Sequence, residues 1–153
     1  MTTEFSNDVY SQTCDLLIFN LSTYEFGFEI ELIREIIRVP AITPIPKTPK
    51  FLKGVSNFRG KILPIINLKQ KLGLENEDTD SKTRIIVIEI KSQLIGFLVD
   101  RVIEVAKELK IEVQFNDEII IPIWKPYLTG VIEKTNRRIF VLNFEKLLDF
   151  YEK

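Results

Sequence analysis

The chain has 153 residues, 45% of them apolar, and its 21 basic and 22 acidic residues almost cancel. A chain of this length buries roughly 70% of its unfolded surface on folding, which is enough for one compact unit or two very small ones. The balanced charge disfavours a nucleic-acid-binding protein, because such proteins usually carry a basic excess on one face. The composition therefore predicts a small globular protein with an ordinary hydrophobic core.

Two residue types that carry much of enzyme chemistry are scarce: the chain has no histidine and a single cysteine, Cys14. This excludes Ser-His and Cys-His nucleophilic catalysis, histidine-ligated zinc and an intrachain disulfide. A lone cysteine fits a reducing compartment, and the N-terminal residues lack the charged and apolar regions of a secretion signal. We therefore expect a cytoplasmic protein that does not insert into a membrane and has no metal or cofactor.

The first half of the chain is predicted to contain four short strands. Residues 1–13 are polar and are expected to form a flexible N-terminus. Apolar periodicity predicts strands at 14–20, 25–30, 55–58 and 61–66. Between the second and third, ELIREIIR fits either a short helix or a twisted strand end, and a proline-rich stretch after it indicates an ordered loop. Asn67 is a suitable N-cap for a following short helix.

The second half shows the same pattern. A polar, acidic stretch at 75–82 predicts a surface linker. Four more strands are predicted at 83–90, 94–99, 128–133 and 138–142, and Asn143 is placed to cap a last helix, FEKLLDFY. Short strands at close spacing with little helix are typical of small antiparallel β-barrels.

Two parts of the chain resemble two others. The segment from Gly54 to Asn67 aligns with the segment from Gly130 to Asn143, and GFEIELIREI (27–36) aligns without a gap with GFLVDRVIEV (96–105). Apolar periodicity would match in any two hairpins, but the fixed glycine and asparagine positions would not. Two copies are too few for a solenoid, so we expect two similar barrels packed together with a groove or seam between them. The first repeat should span about 14–74 and the second about 83–150, with a terminal element free to cross over.

Four segments resemble the CheW family of chemotaxis coupling proteins: FGFEIELIREII, ITPIPKTPKFLKGVSNFRGKILPIINLKQKLG, IGFLVDRVIEV and YLTGVIEKTNRRIFVLNFEKLL. The resemblance covers the chain from about Leu16 to Leu148. It departs from the family at Phe58, where Leu is typical, and at Asn67, where Asp is common. The resemblance implies a single domain of mainly β structure, in which two SH3-like five-stranded β-barrel subdomains pack together with short helices.

The resemblance also implies a function without catalysis. Similar proteins are adaptors that couple transmembrane chemoreceptors to the histidine kinase CheA. The implied partners are the regulatory domain of CheA and the cytoplasmic tips of methyl-accepting chemoreceptors, with no nucleic acid. The implied location is the cytoplasmic side of membrane-associated receptor arrays. A stand-alone coupling protein is the closest match, and a paralogue in a non-flagellar chemosensory pathway would carry the same motifs.

Two other classes of function stay open. A nucleic-acid-binding pair of small barrels would require a basic stripe with exposed aromatic side chains. A carboxylate enzyme such as a glycosidase would require an acid–base pair in a cleft. The balanced charge argues against the first, and no pair of carboxylates in the sequence recommends the second.

The candidate binding residues begin with Arg59, in a predicted turn beside Gly60. The resemblance brings Glu35 close to Arg59 and associates both with partner binding, together with Ile33. An exposed ion pair contributes only about 0–1 kcal/mol to stability, whereas protein interfaces are enriched in arginine. We therefore expect Arg59 and Glu35 at a binding surface near the seam, the alternative being a solvated turn arginine.

The remaining candidates are apolar residues and one glycine. Ile36 lies in a segment with more apolar residues than one buried stripe needs, so it is a candidate for partner contact. A groove for a helical receptor tip would be lined in the other barrel, for which the candidates are Ile86, Ile95, Phe97 and Val99. The alternative for each of these is a place in the core, because strands alternate faces. Gly54 is included as a candidate, with a turn or close packing as the alternative.

Overall fold

The computed structural model describes residues 11–75, 79–112 and 120–148, which form ten β-strands and only short helices. The strands are β1 (Ser11–Leu21), β2 (Tyr24–Glu29), β3 (Ile33–Arg38), β4 (Leu52–Phe58), β5 (Lys61–Asn67), β6 (Arg84–Ile90), β7 (Gln93–Val99), β8 (Arg101–Glu112), β9 (Leu128–Lys134) and β10 (Arg137–Leu142). The helices are α1 (Leu68–Lys71) and α2 (Phe144–Leu147), with 3-10 turns at Ile30–Leu32 and Lys125–Tyr127. The prediction of a mainly β fold is confirmed.

Some predicted features fall outside the described residues: most of the flexible N-terminus, the middle of the linker at 75–82, and the end of the last helix. Within the described ranges, no helix is long and apolar enough to cross a membrane. In the segment 31–38, which fits either a short helix or a twisted strand end by sequence, residues 31–32 belong to the 3-10 turn and residues 33–38 form β3. Its register runs from Ile33 opposite Ile88 to Arg38 opposite Arg84, with an irregularity between Ile33 and Glu35.

Both predicted asparagine caps are confirmed. The Asn67 side-chain oxygen accepts a hydrogen bond from the backbone N–H of Gln70 at 3.3 Å, and Asn143 accepts one from Lys146 at 3.1 Å. Each bond satisfies one of the backbone donors that a helix N-terminus leaves without an intrahelical partner. The two caps therefore begin equivalent one-turn helices after β5 and β10.

The strands divide between two compact units. Unit 1 contains β1 as far as Ile18, β2 and the chain from Ile103 onward, and its strands close into a barrel in the order β1-β2-β10-β9-β8. β10 pairs with β2 in parallel and with β9 antiparallel. The interior is filled by buried aliphatic residues: Leu16, Ile18, Leu109, Ile111, Ile132, Ile139 and Val141. Trp124 is buried in the same unit, with ring centroids 5.0 Å from Phe26 and 5.2 Å from Phe140.

Unit 2 contains Phe19–Thr23 and Glu31–Val102, and its five strands run in the order β3-β6-β7-β5-β4. The core consists of Leu63, Ile65, Ile85, Val87, Leu94 and Leu98. The sheet is a half-barrel whose two sides meet at one isolated bridge, between Thr43 and Val55. Two backbone hydrogen bonds of 2.8 and 2.9 Å form this bridge. Gly54, beside it, has a φ of +150°, and any side chain there would collide with the Thr43 backbone.

The strand registers are equivalent at aligned positions of the two repeats. Gly27 pairs with Val141 in unit 1, and Gly96 pairs with Ile65 in unit 2. Unit 1 closes through the pair Glu112–Val131, and unit 2 meets at Thr43–Val55, which is the aligned position in the other repeat. β3 ends at Arg38, since the proline-rich loop follows, whereas the equivalent β8 continues to Glu112 and completes its barrel.

Each unit takes strands from both repeats. β1 and β2 of the first repeat join β8, β9 and β10 of the second, while β6 and β7 of the second join β3, β4 and β5 of the first. The crossover therefore involves the first two strands of each repeat. The parallel pairs β2–β10 and β5–β7 are the places where strands of different repeats meet.

Candidate functional site

The hairpin of β4 and β5 places Arg59 at its tip. Phe58 lies opposite Lys61 in the register, so Arg59 and Gly60 are the two turn residues. Their φ angles are +53° and +82°, as in the type I′ turns that suit the twist of a β-hairpin. The N–H of Gly60 donates a hydrogen bond of 3.0 Å to the side chain of Asn57. Arg59 therefore lies at the exposed tip of the hairpin, where its side chain is 69% exposed.

Arg59 forms an ion pair with Glu35 of β3, and the predicted pairing is thereby confirmed. The Nη2 and Oε1 atoms lie 2.5 Å apart, and the two side chains are 69% and 35% exposed. The Arg59 guanidinium carbon also lies 4.8 Å from the centroid of the Phe58 ring. An ion pair this exposed contributes only about 0–1 kcal/mol to folding.

Unit 1 uses the aligned glutamate differently. Glu104, the counterpart of Glu35, pairs with Arg137 at 3.1 Å, and Arg137 also pairs with Glu25 at 2.5 Å. The hydrogen bond to Glu25 raises the pKa of Arg137 above its usual range. The Arg137 side chain is 31% exposed and held between two carboxylates, which gives it a structural role. Arg59 has one carboxylate and more than twice that exposure, so it can still contact a partner.

Apolar side chains are exposed on the same elements of unit 2. Ile36 is 39% exposed and Ile62, on β5 opposite Asn57, is 74% exposed. Leu32 is also exposed, while Ile33 is half-buried. The sequence reasoning missed Ile62. The available signal was its place between Lys61 and the core residue Leu63, since alternation along β5 turns it away from the core.

All four groove candidates are in the interior. Ile86, Ile95, Phe97 and Val99 are between 0% and 2% exposed. The central residues of β6 and all but the first of β7 are buried in an unbroken run, so both faces of these strands are covered. The core alternative is therefore the correct one for these four, because a side chain with almost no exposed area cannot contact a partner in this structure.

Gly54 is also not a surface residue. It is buried beside the Thr43–Val55 bridge, and its missing side chain lets the two backbones approach. The packing alternative thus accounts for it without any partner contact. Of the predicted site residues, the structure places Arg59 and Glu35 in direct contact, with Ile33 and Ile36 on the same strand as Glu35.

The described residues offer little to a catalytic interpretation. Burial, with Glu29 and Asp15 nearby, raises the pKa of the Cys14 thiol to about 11, so it is protonated at neutral pH and is a weak nucleophile. Several carboxylates already pair with arginines, as Glu25 and Glu133 do. In the ranges that the structure describes, no cluster of Cys, Asp or Glu could hold a metal ion.

The family model of the CheW-like domain matches residues 15–152. The chain belongs to the CheW-like domain family. The chemotaxis protein CheW of Klebsiella aerogenes is 33% identical over 138 residues, which are 90% of this chain and 83% of that protein. CheW of Thermotoga maritima is 30% identical over 135 residues, or 88% of this chain and 87% of that one.

A solved structure of a CheW protein has the same fold as this chain. The scaffolding protein TtCheW from Thermoanaerobacter tengcongensis superposes with a TM-score of 0.81 at 29% identity, covering 93% of this chain and 97% of its own. This member of the CheW-like family is therefore a non-enzymatic chemotaxis scaffold built from two five-stranded sheets. The nucleic-acid-binding and glycosidase alternatives have no counterpart among these relatives.

Proposed function

We propose that this chain couples transmembrane chemoreceptors to the histidine kinase CheA, at the cytoplasmic side of receptor arrays. Membership of the CheW-like family supports the chemotaxis role. The observation that carries the coupling proposal is the Arg59–Glu35 pair, in which the arginine at a hairpin tip of unit 2 remains 69% exposed. We assign the partner-binding surface to Arg59, Glu35, Ile33 and Ile36, and we add Ile62.

Energetics favour a binding role for this pair over a structural one. Exposed to water, the ion pair contributes about 0–1 kcal/mol to the stability of the folded protein, because solvent screens both charges. When a partner covers it, the same arginine can account for 2 kcal/mol or more of binding, as interface hot spots do. The exposed side chains of Ile36 and Ile62 provide apolar area on the same elements. Arginine and exposed apolar side chains together are a composition typical of protein interfaces.

The two classes of partner fit this surface in different ways. A receptor tip would lay a helix on the apolar residues, with Arg59 fixing its register. The regulatory domain of CheA would contact it as one folded domain contacts another. Only one of the two can occupy this surface at a time, so the other contacts the scaffold elsewhere. With both bound, a scaffold that favours one receptor state shifts the population of active kinase. Weak individual contacts suffice in an array, since linked sites raise the effective concentration.

The test is autophosphorylation of CheA in receptor-containing membranes, with and without this protein. We expect strong activation by the native chain and at least a tenfold weaker response with Arg59→Ala at limiting concentration. Arg138→Ala is the matched control, because Arg138 is an exposed arginine of the other unit's hairpin and also pairs with a carboxylate, Glu133, at 2.6 Å. Equal losses in both variants, or no activation by the native protein, would overturn the proposal.

A charge exchange separates partner contact from internal pairing. Arg59→Glu with Glu35→Arg restores an ion pair with the opposite polarity. If the pair serves only to hold β3 and the hairpin together, the double variant should regain activity. If a partner contacts Arg59, the double variant should stay defective while its thermal unfolding matches the native protein. Separate pull-downs with the CheA regulatory domain and with receptor fragments then identify which contact is lost.

A further inference from the structure

The Arg59 guanidinium rests beside an aromatic ring as well as a carboxylate. Its central carbon lies 4.8 Å from the centroid of Phe58, within the range of a cation–π contact. Phe58 is half-buried and packs against the core cluster of unit 2, so the ring is held from one side by the protein. Arg59 is thus in contact with Glu35 and also with a fixed apolar surface.

Closure of the hairpin does not need this ring. In the repeat, Phe58 corresponds to Lys134, and the registers are the same: Phe58 lies opposite Lys61, and Lys134 lies opposite Arg137. The β9–β10 hairpin therefore closes at the aligned position with a lysine where β4–β5 has an aromatic residue. Since the turn forms without an aromatic side chain, hairpin closure does not explain Phe58.

We propose that Phe58 is a positioning residue that holds the Arg59 guanidinium in place for partner binding. This inference rests on the proposed function of Arg59. A free arginine loses rotamer freedom when a partner immobilises it, and a side chain already held in place loses less. Glu35 fixes one edge of the guanidinium, and the ring restricts the motion that a single ion pair leaves open. Phe58 therefore acts through Arg59 and not by touching the partner.

The expected effect is modest and specific. A cation–π contact at an exposed site corresponds to about a two- to fivefold change in an equilibrium constant. Phe58→Leu removes the ring and keeps an apolar side chain against the core. Phe58→Tyr keeps the ring. We expect a two- to fivefold weaker affinity for the partner with Leu, and native affinity with Tyr.

The experiment is a double-mutant cycle on the affinity for CheA regulatory domain or receptor fragment, whichever Arg59→Ala weakens. If Phe58 acts through Arg59, Phe58→Leu weakens binding in the native background and has no effect in the Arg59→Ala background. A loss of the same size in both backgrounds, or no loss in the native one, overturns the positioning role. If Arg59→Ala alone changes no affinity, the proposed function fails first, and the positioning role fails with it.

Two further measurements test whether the variants remain folded and whether Arg59 contacts the ring. Thermal unfolding of each variant shows whether Phe58→Leu remains folded, and Phe58→Met serves as the second variant if it does not. Proton NMR reports the position of Arg59 without any partner: ring currents should shift its side-chain signals upfield in the native and Tyr proteins. Native shifts that persist in the Leu variant would contradict the contact.

Discussion

Replacing Gly54 by alanine should separate a structural glycine from a binding residue. Gly54 has a φ of +150°, which L-residues rarely adopt, and a built Cβ would lie 2.8 Å from the carbonyl carbon of Thr43 and closer still to its oxygen. These two atoms are backbone, so they cannot move aside as the end of a flexible side chain would. The variant must therefore open the Thr43–Val55 bridge or distort both chains.

The magnitude follows from two contributions. An L-residue forced into this backbone region costs about 1–3 kcal/mol. Opening the bridge loses two backbone hydrogen bonds, each with a net value of about 1 kcal/mol. Together these give about 3–5 kcal/mol of lost stability, or roughly 6–20 °C in the unfolding midpoint of a protein this size.

The assay is urea and thermal unfolding followed by far-UV circular dichroism. Gly60→Ala is the control, because Gly60 also has a positive φ, +82°, but a Cβ there would meet nothing within 4 Å. We expect Gly54→Ala to be clearly the more destabilised of the two. Equal losses would refute the steric argument. A stable Gly54→Ala protein that fails to bind partners would return Gly54 to the binding surface.

Three other predictions concern single side chains. Lys69, only 6% exposed, has its Nζ 3.1 Å from an oxygen of Asp100. Lys69→Met should therefore lower the free energy of unfolding in urea by about 1–3 kcal/mol. A more stable variant would mean that burying the ammonium costs more than the ion pair contributes. Asn143→Ala should cost about 1 kcal/mol by the same assay, since it removes a helix cap, and an unchanged midpoint would contradict that. Because burial raises the pKa of Cys14 from 9.0 to about 11, a thiol reagent at pH 7.5 should modify it roughly ten- to a hundredfold more slowly in the folded than in the urea-unfolded protein. The folded state keeps this proton between pH 9.0 and about 11, so Cys14 should reduce stability as pH rises through that window.

Local features could be predicted from the sequence because their causes are local. The caps at Asn67 and Asn143 depend on a side chain and a backbone donor three residues away. The repeat could be aligned because glycines at close approaches tolerate few substitutes, as Gly27 beside Leu16 and Gly96 beside Ile85 show. The Arg59–Glu35 contact came from a family resemblance and not from spacing.

Long-range pairing could not be predicted in this way. Strand periodicity shows which face of a strand is apolar, but it does not identify the neighbouring strand, so the parallel pairs β2–β10 and β5–β7 left no local signal. The spacing of apolar residues in the segment 31–38 left helix and strand both open, since an irregular register in β3 changes the period. Periodicity also could not show that β7 is covered on both faces, where every residue after Gln93 is buried.

Because the repeats exchange strands, the two units are completed at different times during synthesis on the ribosome. The chain of unit 2 is complete once Val102 has emerged, because none of its strands comes from later in the sequence. β1 and β2 are made first, yet β10, which pairs with β2, is the last strand of the barrel to be made. During elongation one edge of β2 therefore stays unpaired until β10 has been made. Nascent strands in that condition are prone to aggregate, so a translational pause before Leu128 should expose this protein to chaperones more than a pause after Leu142.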